Sequence, residues 1–397
     1  MFFHQVPEGP PDPLFGLSDA FRADVRNHKV NLVIGIYKNK ELHSELLPSV
    51  RRAKEEILSE DQLADYLPID GAKDLIEAIG ALLFGDSFWE TEKGRIYGAQ
   101  AVGGTSALRI GAEFAREFIG QTIYVPEPTW PNHRQIFERA GCQVQTVPYY
   151  DSVKRGFAFS EMLSALEKLP PRSIVLLQGA CHNPTGCDPS AVEWADIART
   201  MKKKQLLPLF DIAYQGFGDG LEEDAGAIRH FAKEGLEFIV AYSCSKNFSL
   251  YCQRVGVLFV VTADATAKQR SASQIKRVIR ALYSNPPAHG ARIVAKILNS
   301  SLRKEWKQEI DAMRLRIQTV RRDLIEKLSS RSSRESNFDY LRVHKGMFSY
   351  LDMEKVQVER LIEEFAIYLP SSGRINVAGL NSGNIDYVVN SLIKVLE

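Results

Sequence analysis

The stretch "LPLFDIAY", Leu207–Tyr214, runs apolar on both of its alternating faces until it reaches Asp211, and then ends on a phenol. A short segment that is apolar at successive positions is buried on both sides, as in the centre of a parallel sheet covered by helices. The pattern recurs in "TIYVPE" (122–127), "SIVLLQG" (173–179), "EFIVAYSCS" (237–245) and "VGVLFVV" (255–261). Helical spacing of apolar residues marks "LLPSVRRAKEEIL" (46–58) and "GAKDLIEAIGALLF" (71–84). Helices separated by such strands predict an α/β domain with a mostly parallel sheet.

The flanks differ. Residues 1–14, "MFFHQVPEGPPDPL", are rich in proline and are not expected to pack as helix or strand alone. They read as an N-terminal arm laid on another subunit. The charged helical run at 303–331 connects the large domain, expected over 45–313, to a small α+β domain formed by 15–44 and 314–397. Its charged positions are expected to form a solvated face.

Composition excludes several classes. The 397 residues are 45% hydrophobic and 25% charged with a net charge of +1, so neither a nucleic-acid nor a membrane-surface partner is suggested. No apolar run reaches the roughly 18 residues of a membrane span. The five cysteines lack CxxC spacing, no metal site is expected, and a reducing cytoplasm is the expected compartment.

Ligands in open α/β sheets collect beyond the carboxyl ends of the strands. Four such exits carry chemistry. "VGGTSALR" offers Gly103, Gly104, Thr105 and Ser106 at a helix start, a phosphate cradle without the lysine of a Walker A loop. "QGACHNPTG" holds Asn183 in a proline-rigid turn, where its amide can donate to a ligand oxygen. Cys181 and His182 there are adjacent on extended chain and point apart, which disfavours a thiol-protease pair. The third exit ends on Asp211 and Tyr214, a carboxylate that needs a cation or a hydrogen-bond network. The "GFGDG" that follows is not a full dinucleotide fingerprint. The fourth, "AYSCSKNFSLYCQRVG", places Ser243 and Ser245 beside Lys246, with Arg254 downstream. A phosphate cradle, a carboxylate awaiting a cation and a lysine amine together are what pyridoxal phosphate requires.

The chain resembles the class I, fold-type I aminotransferases, in the branch that holds aspartate and aromatic amino-acid aminotransferases. The motifs "VNLVIGIYK", "YLPIDG", "GGTSALR", "PTWPNH", "CHNPTG", "FDIAYQGF", "SKNFSLYCQRVG", "YSNPPAHG" and "SGRINVAG" stand in family order over nearly the whole chain. The resemblance implies a seven-stranded-type, mostly parallel sheet, pyridoxal 5'-phosphate as cofactor, and a homodimer with shared active sites. It implies Lys246 as the Schiff-base lysine and proton shuttle, and Asp211 as partner of the pyridinium nitrogen. Tyr214 and Asn183 would donate to the ring phenolate, and Trp130 would stack on the ring. Ser243, Ser245, Arg254, Gly104, Thr105 and Ser106 would hold the phosphate, completed by Tyr66 from the neighbouring subunit. Arg374 would hold the α-carboxylate, Arg280 would reach across the dimer to a side-chain carboxylate, and Gly35 would close over the substrate.

Departures accompany the match. Gln178 stands where many relatives have histidine behind the ring, so the network around Asp211 is expected to form without a titrating group. Ser106 replaces a common glycine, and Cys252 and Gln253 also depart, without a functional reading. The implied activity is amino transfer from L-aspartate to 2-oxoglutarate in two half-reactions, with tyrosine or phenylalanine as the alternative donor. A lyase or decarboxylase has little use for a side-chain carboxylate clamp, and a non-catalytic regulatory module usually brings a DNA-binding extension that this sequence lacks.

Overall fold

A computed structural model describes residues 1–9, 12–60, 64–332 and 338–396. Its centre is a seven-stranded sheet built from β1 (Ile96–Val102), β2 (Thr122–Glu127), β3 (Gln143–Pro148), β4 (Ile174–Gln178), β5 (Leu207–Ile212), β6 (Phe238–Ser243) and β7 (Val255–Val261). The order is β1-β7-β6-β5-β4-β2-β3, and only β7 runs against its neighbours.

Every residue of β4, β6 and β7 is buried, as their continuous apolar sequences require. β1 and β3 are the strands that apolar runs do not reveal. β1 carries Gly98 and Gln100 in mid-strand, and Gln100 Oε1 accepts from Ala72 N at 3.0 Å. β3 is an edge strand with mostly exposed side chains, so nothing forces it to be apolar.

Helices cover both faces, and two apolar clusters lie on opposite sides of the sheet. The Gly103–Phe118 helix packs along β6 and β7, with Gly111 against Ile239 and Leu258. A smaller group of elements carries two short pairings, Val30–Asn31 parallel to Ile367–Tyr368 and Phe348–Tyr350 antiparallel to Arg374–Asn376. The Leu302–Arg331 helix runs between both parts.

Two expectations need correcting. The charged helix is not solvated at every charge: Arg321 is 4% exposed, because Nε donates to Ser349 Oγ at 3.0 Å and Nη2 to the carbonyls of Phe348 and Gly346. A buried guanidinium is tolerable when its donors are met in this way. The amino-terminal segment is not wholly irregular either, since Phe2–Gln5 forms a 3₁₀ turn and a helix starts at Pro13. Phe2 and Phe3 lie almost fully in solvent. Leu14, expected as the last residue of the arm, instead lines the cavity described next.

Candidate active site

The carboxyl ends of β1, β4, β5 and β6 open on a cavity of ≈460 Å³. Lys246, Asp211, Asn183, Tyr214, Trp130 and Gly35 line it, as do Gly104, Thr105, Ser243, Ser245, Arg254 and Arg374. Gly104, Gln178, Asp211 and Ser243 meet there because parallel strands deliver their exits to one edge, while Phe348 and Arg374 are brought in by the short antiparallel pairing of the smaller group of elements.

One end is a cup of donors. Gly103 has φ +77°, which requires glycine, and a Cβ on it would stand 2.4 Å from Arg254 Nη2 and displace that guanidinium. A Cβ on Gly104 would meet Ser243 Cβ at 3.0 Å. Arg254 Nη1 donates to Ser245 Oγ at 3.2 Å and to Tyr251 O at 3.1 Å, while Ser243 Oγ donates to Ser245 Oγ at 3.1 Å. The helix amino terminus at Gly103, two hydroxyls and a fixed guanidinium form a receptor for a phosphate.

The other end holds Asp211, whose Oδ2 lies 3.0 Å from His133 Nε2. His133 is fully buried, and its Nδ1 meets Thr129 Oγ1 at 2.8 Å. Gln178 Nε2 donates to Thr129 Oγ1 at 3.3 Å and to Asn183 O at 3.0 Å, and Gln178 Oε1 accepts from Asn183 N at 2.9 Å. With the proton on Nε2, His133 donates to the carboxylate and accepts from Thr129, leaving each group paired. The network behind Asp211 therefore does contain a histidine, which the expectation from Gln178 had left out. His133 stands in "PTWPNH", but nothing in the sequence singles it out as the residue that meets Asp211 across 78 positions.

Lys246 opens on the cavity from between these ends, its Nζ 5.2 Å from the centre of the Tyr214 ring. Burial pulls its amine from 10.5 down to about 8, Arg254 and Arg374 act the same way, and Asp211 opposes them. About a tenth is then free amine at pH 7, against well under a thousandth at the ordinary pKa, and the free amine is what a nucleophile requires. Burial also pushes the Tyr214 phenol well up, so it stays a proton donor.

Arg374 is 3% exposed, with Nη1 donating to Asn183 Oδ1 at 3.0 Å and Nη2 to the Val33 carbonyl. Phe348 stacks on its guanidinium at 4.4 Å and packs against Gly35, where a Cβ would come within 2.6 Å of the ring. The Arg374 Nε is buried without a hydrogen-bond partner among the described residues. Burial lowers its pKa to about 10, and it remains a cation at neutral pH. Phe348 had no signal in the sequence.

Three expected residues are not gathered here within the single chain. Ser106 lies outside the cavity lining, and its Oγ accepts from Val102 N at 2.9 Å, so its hydroxyl caps the turn. Tyr66 is 92% exposed. Arg280 is exposed, with Nη1 bonded to its neighbour Ser284. Cys181 and His182 are buried, which drives the thiol well up and the imidazole well down and leaves both neutral.

These residues fit pyridoxal phosphate: an anion cup, an amine of lowered pKa and a buried carboxylate are set around one cavity. Comparison with known proteins gives the same answer. The family profile "Aminotransferase class I and II" matches residues 27–392. The chain is 44% identical to aspartate aminotransferase of Pseudomonas aeruginosa, over 99% of both chains. It is 43% identical to tyrosine aminotransferase of Klebsiella pneumoniae, over 99% of this chain and 100% of the other. The structure of aromatic-amino-acid aminotransferase from Burkholderia pseudomallei, covalently bound to pyridoxal phosphate, superposes with a TM-score of 0.96 at 44% identity over the full length of both chains. This chain belongs to the class I and II aminotransferases and is a pyridoxal-phosphate-dependent transaminase of the aspartate and aromatic branch.

Proposed function

We propose that the protein transfers the amino group of L-aspartate to 2-oxoglutarate, as a homodimer in which each subunit completes its neighbour's site. The observation that carries the reading is Arg374: a buried guanidinium on the wall of the cavity that also holds Lys246 and Asn183, stacked on Phe348 and with Nη1 on Asn183 Oδ1. Guanidinium forks bind carboxylates in two-pronged fashion, and both substrates present an α-carboxylate.

Pyridoxal phosphate, when bound, supplies an electron sink for the charge that develops at the amino acid's α-carbon. The remaining work falls to the chain. The cup at Gly104, Thr105, Ser243, Ser245 and Arg254 would hold the phosphate, and Asp211, oriented by His133, would hold the ring nitrogen's proton. Asn183 and Tyr214 would donate to the ring oxygen, with Trp130 against its face. Lys246 Nζ, a free amine of lowered pKa, accepts the α-proton of the substrate and gives it back. Arg374 fixes the α-carboxylate and so aims the α-hydrogen at that amine.

Tyr66 and Arg280 complete the site from the partner subunit in this reading. Their exposure supports it, since Tyr66 at 92% exposure is open to contact by a second subunit. Arg280 would then meet the side-chain carboxylate. The large part would span 45–313 and the small part 15–44 with 314–397.

One observation favours a second reading, transfer from tyrosine or phenylalanine. Leu14, Ile34 and Ile36 line the cavity mouth beside Phe348, an apolar rim on which an aromatic side chain could pack. Measuring kcat/KM for aspartate, tyrosine and phenylalanine, each with 2-oxoglutarate, separates the two. Aspartate is expected to lead, and a preference for tyrosine replaces the proposal by the second reading.

A further inference from the structure

A second concavity, of ≈410 Å³, lies between the chain after β5, the middle of the Leu302–Arg331 helix and residues 342–346. Its volume is in the range of small-molecule sites, about 300–1,000 Å³. Arg321, Arg322, Arg342 and Lys345 line it against a single lining carboxylate, Asp219. Some of that charge is already engaged. Lys345 Nζ meets Asp219 at 2.5 Å, Arg342 Nε meets Asp339 at 2.8 Å, and Arg322 Nε stands 4.0 Å from Glu326. Each of these pairs occupies only part of its cation, because a guanidinium carries five donors and an ammonium three.

His344 decides between a salt-bridged surface and a built site. It is 3% exposed, and neither ring nitrogen finds a partner among the described residues, although it lies on the cavity wall. Burial and the neighbouring Arg321 keep the ring neutral, so one of those nitrogens is a donor. A purely structural histidine at this depth would normally have been given a hydrogen bond. His344 shares the wall with Arg322, Arg342 and Lys345, whose unoccupied donors are suited to an anionic oxygen.

We propose that this concavity binds a small oxyanion carrying two or more negative charges, a phosphate compound or a polycarboxylate, separately from the catalytic cavity. The anion would bridge the guanidinium groups of Arg322 and Arg342 and the ammonium of Lys345. The same wall continues to the active site, because Arg321 is bonded to the carbonyls of Gly346 and Phe348, and Phe348 stacks on Arg374.

The test is calorimetric titration of the holoenzyme with inorganic pyrophosphate and, separately, with citrate. Saturable binding of either anion is expected, and the tighter one identifies the class. Arg322→Ala/Arg342→Ala should weaken binding by about tenfold or more, since two charge-assisted contacts are lost. Both side chains are largely exposed, at 60% and 50%, so this variant should fold, and an unchanged melting temperature without anion verifies it. Binding should persist in Arg374→Ala, which disables the catalytic cavity instead. Absence of saturable binding, equal affinity in the double variant, or loss of binding in Arg374→Ala would each overturn the proposal.

Discussion

Arg374 and Arg280 are both proposed to hold a carboxylate, yet the fold treats them in opposite ways. Arg374 is buried, stacked on Phe348 and tied to Asn183 and Val33, with its geometry set before any substrate arrives. Arg280 sits on the exposed side of the last turn of the Ala265–Leu282 helix and, among the described residues, bonds to its own neighbourhood, Ser284 and Asn285. An arginine that serves its own chain can be desolvated and preorganised by that chain. One that serves a partner has to wait at the surface, where an isolated ion pair contributes about 0–1 kcal/mol until assembly excludes water. The buried wall that includes Arg374 and Lys246 should therefore tolerate substitution least, and the exposed rim should reveal its role only through substrate choice.

The largest effect is expected at Lys246. Lys246→Ala should lower turnover by more than about 10⁴-fold, the upper end of what a positioned acid-base group contributes. Borohydride should no longer fix the cofactor covalently to the variant, as read by intact mass; covalent fixation without the lysine would refute its role. In the unsubstituted apoprotein, cofactor capture should rise with pH through about 8, because the free amine is the nucleophile and burial has lowered its pKa to about 8. A midpoint near 10.5 would mean that the amine is solvated.

Arg374→Ala comes next. Removing one partner of a buried charge contact costs about 2–5 kcal/mol, so kcat/KM should fall by roughly 30- to several-thousand-fold for every amino acid tested. A loss restricted to aspartate would assign Arg374 to the side chain instead.

Arg280→Ala should be selective. Aspartate should lose about 10–100-fold in kcat/KM while phenylalanine changes by less than about threefold, since only the dicarboxylic substrate loses an ion pair. Equal losses would place Arg280 in folding or assembly, and the contrast with Arg374 would lapse.

His133→Asn should have the smallest effect. It shortens the donor that faces Asp211, and about a tenfold drop in kcat with little change in KM is expected, the worth of one charge-assisted hydrogen bond. A shift in the pH dependence of the cofactor's absorbance should accompany it. An unchanged spectrum with reduced stability would make His133 a purely structural residue.

Much of the architecture was legible from "LPLFDIAY" and its counterparts, because a strand buried on both faces can hardly be anything but continuously apolar. β1 and β3 escaped for complementary reasons: one hides a glutamine that the fold satisfies internally, and the other lies at an edge with most of its side chains exposed. In the site, Lys246, Asp211 and Asn183 could be named from their places at strand exits. His133 could not, although it touches Asp211, because a histidine in a loop motif carries no mark of its partner. Ser106 was expected to hold the phosphate from its hydroxyl at the helix start and from the resemblance, but its Oγ accepts from Val102 N.

The sequence by itself determined the strand and helix pattern, the glycine turn at Gly103 and the residue types that cofactor chemistry needs. Each of these is a local property, fixed by side-chain volume, backbone freedom or charge within a few positions. Only the tertiary structure decided that Lys246 is desolvated, that Arg374 is locked by Phe348 and Asn183 while Arg280 is left at the surface, and that His133 stands behind Asp211. Those outcomes depend on which groups share a low-dielectric space, and that is set by how distant segments pack rather than by the order in which they occur.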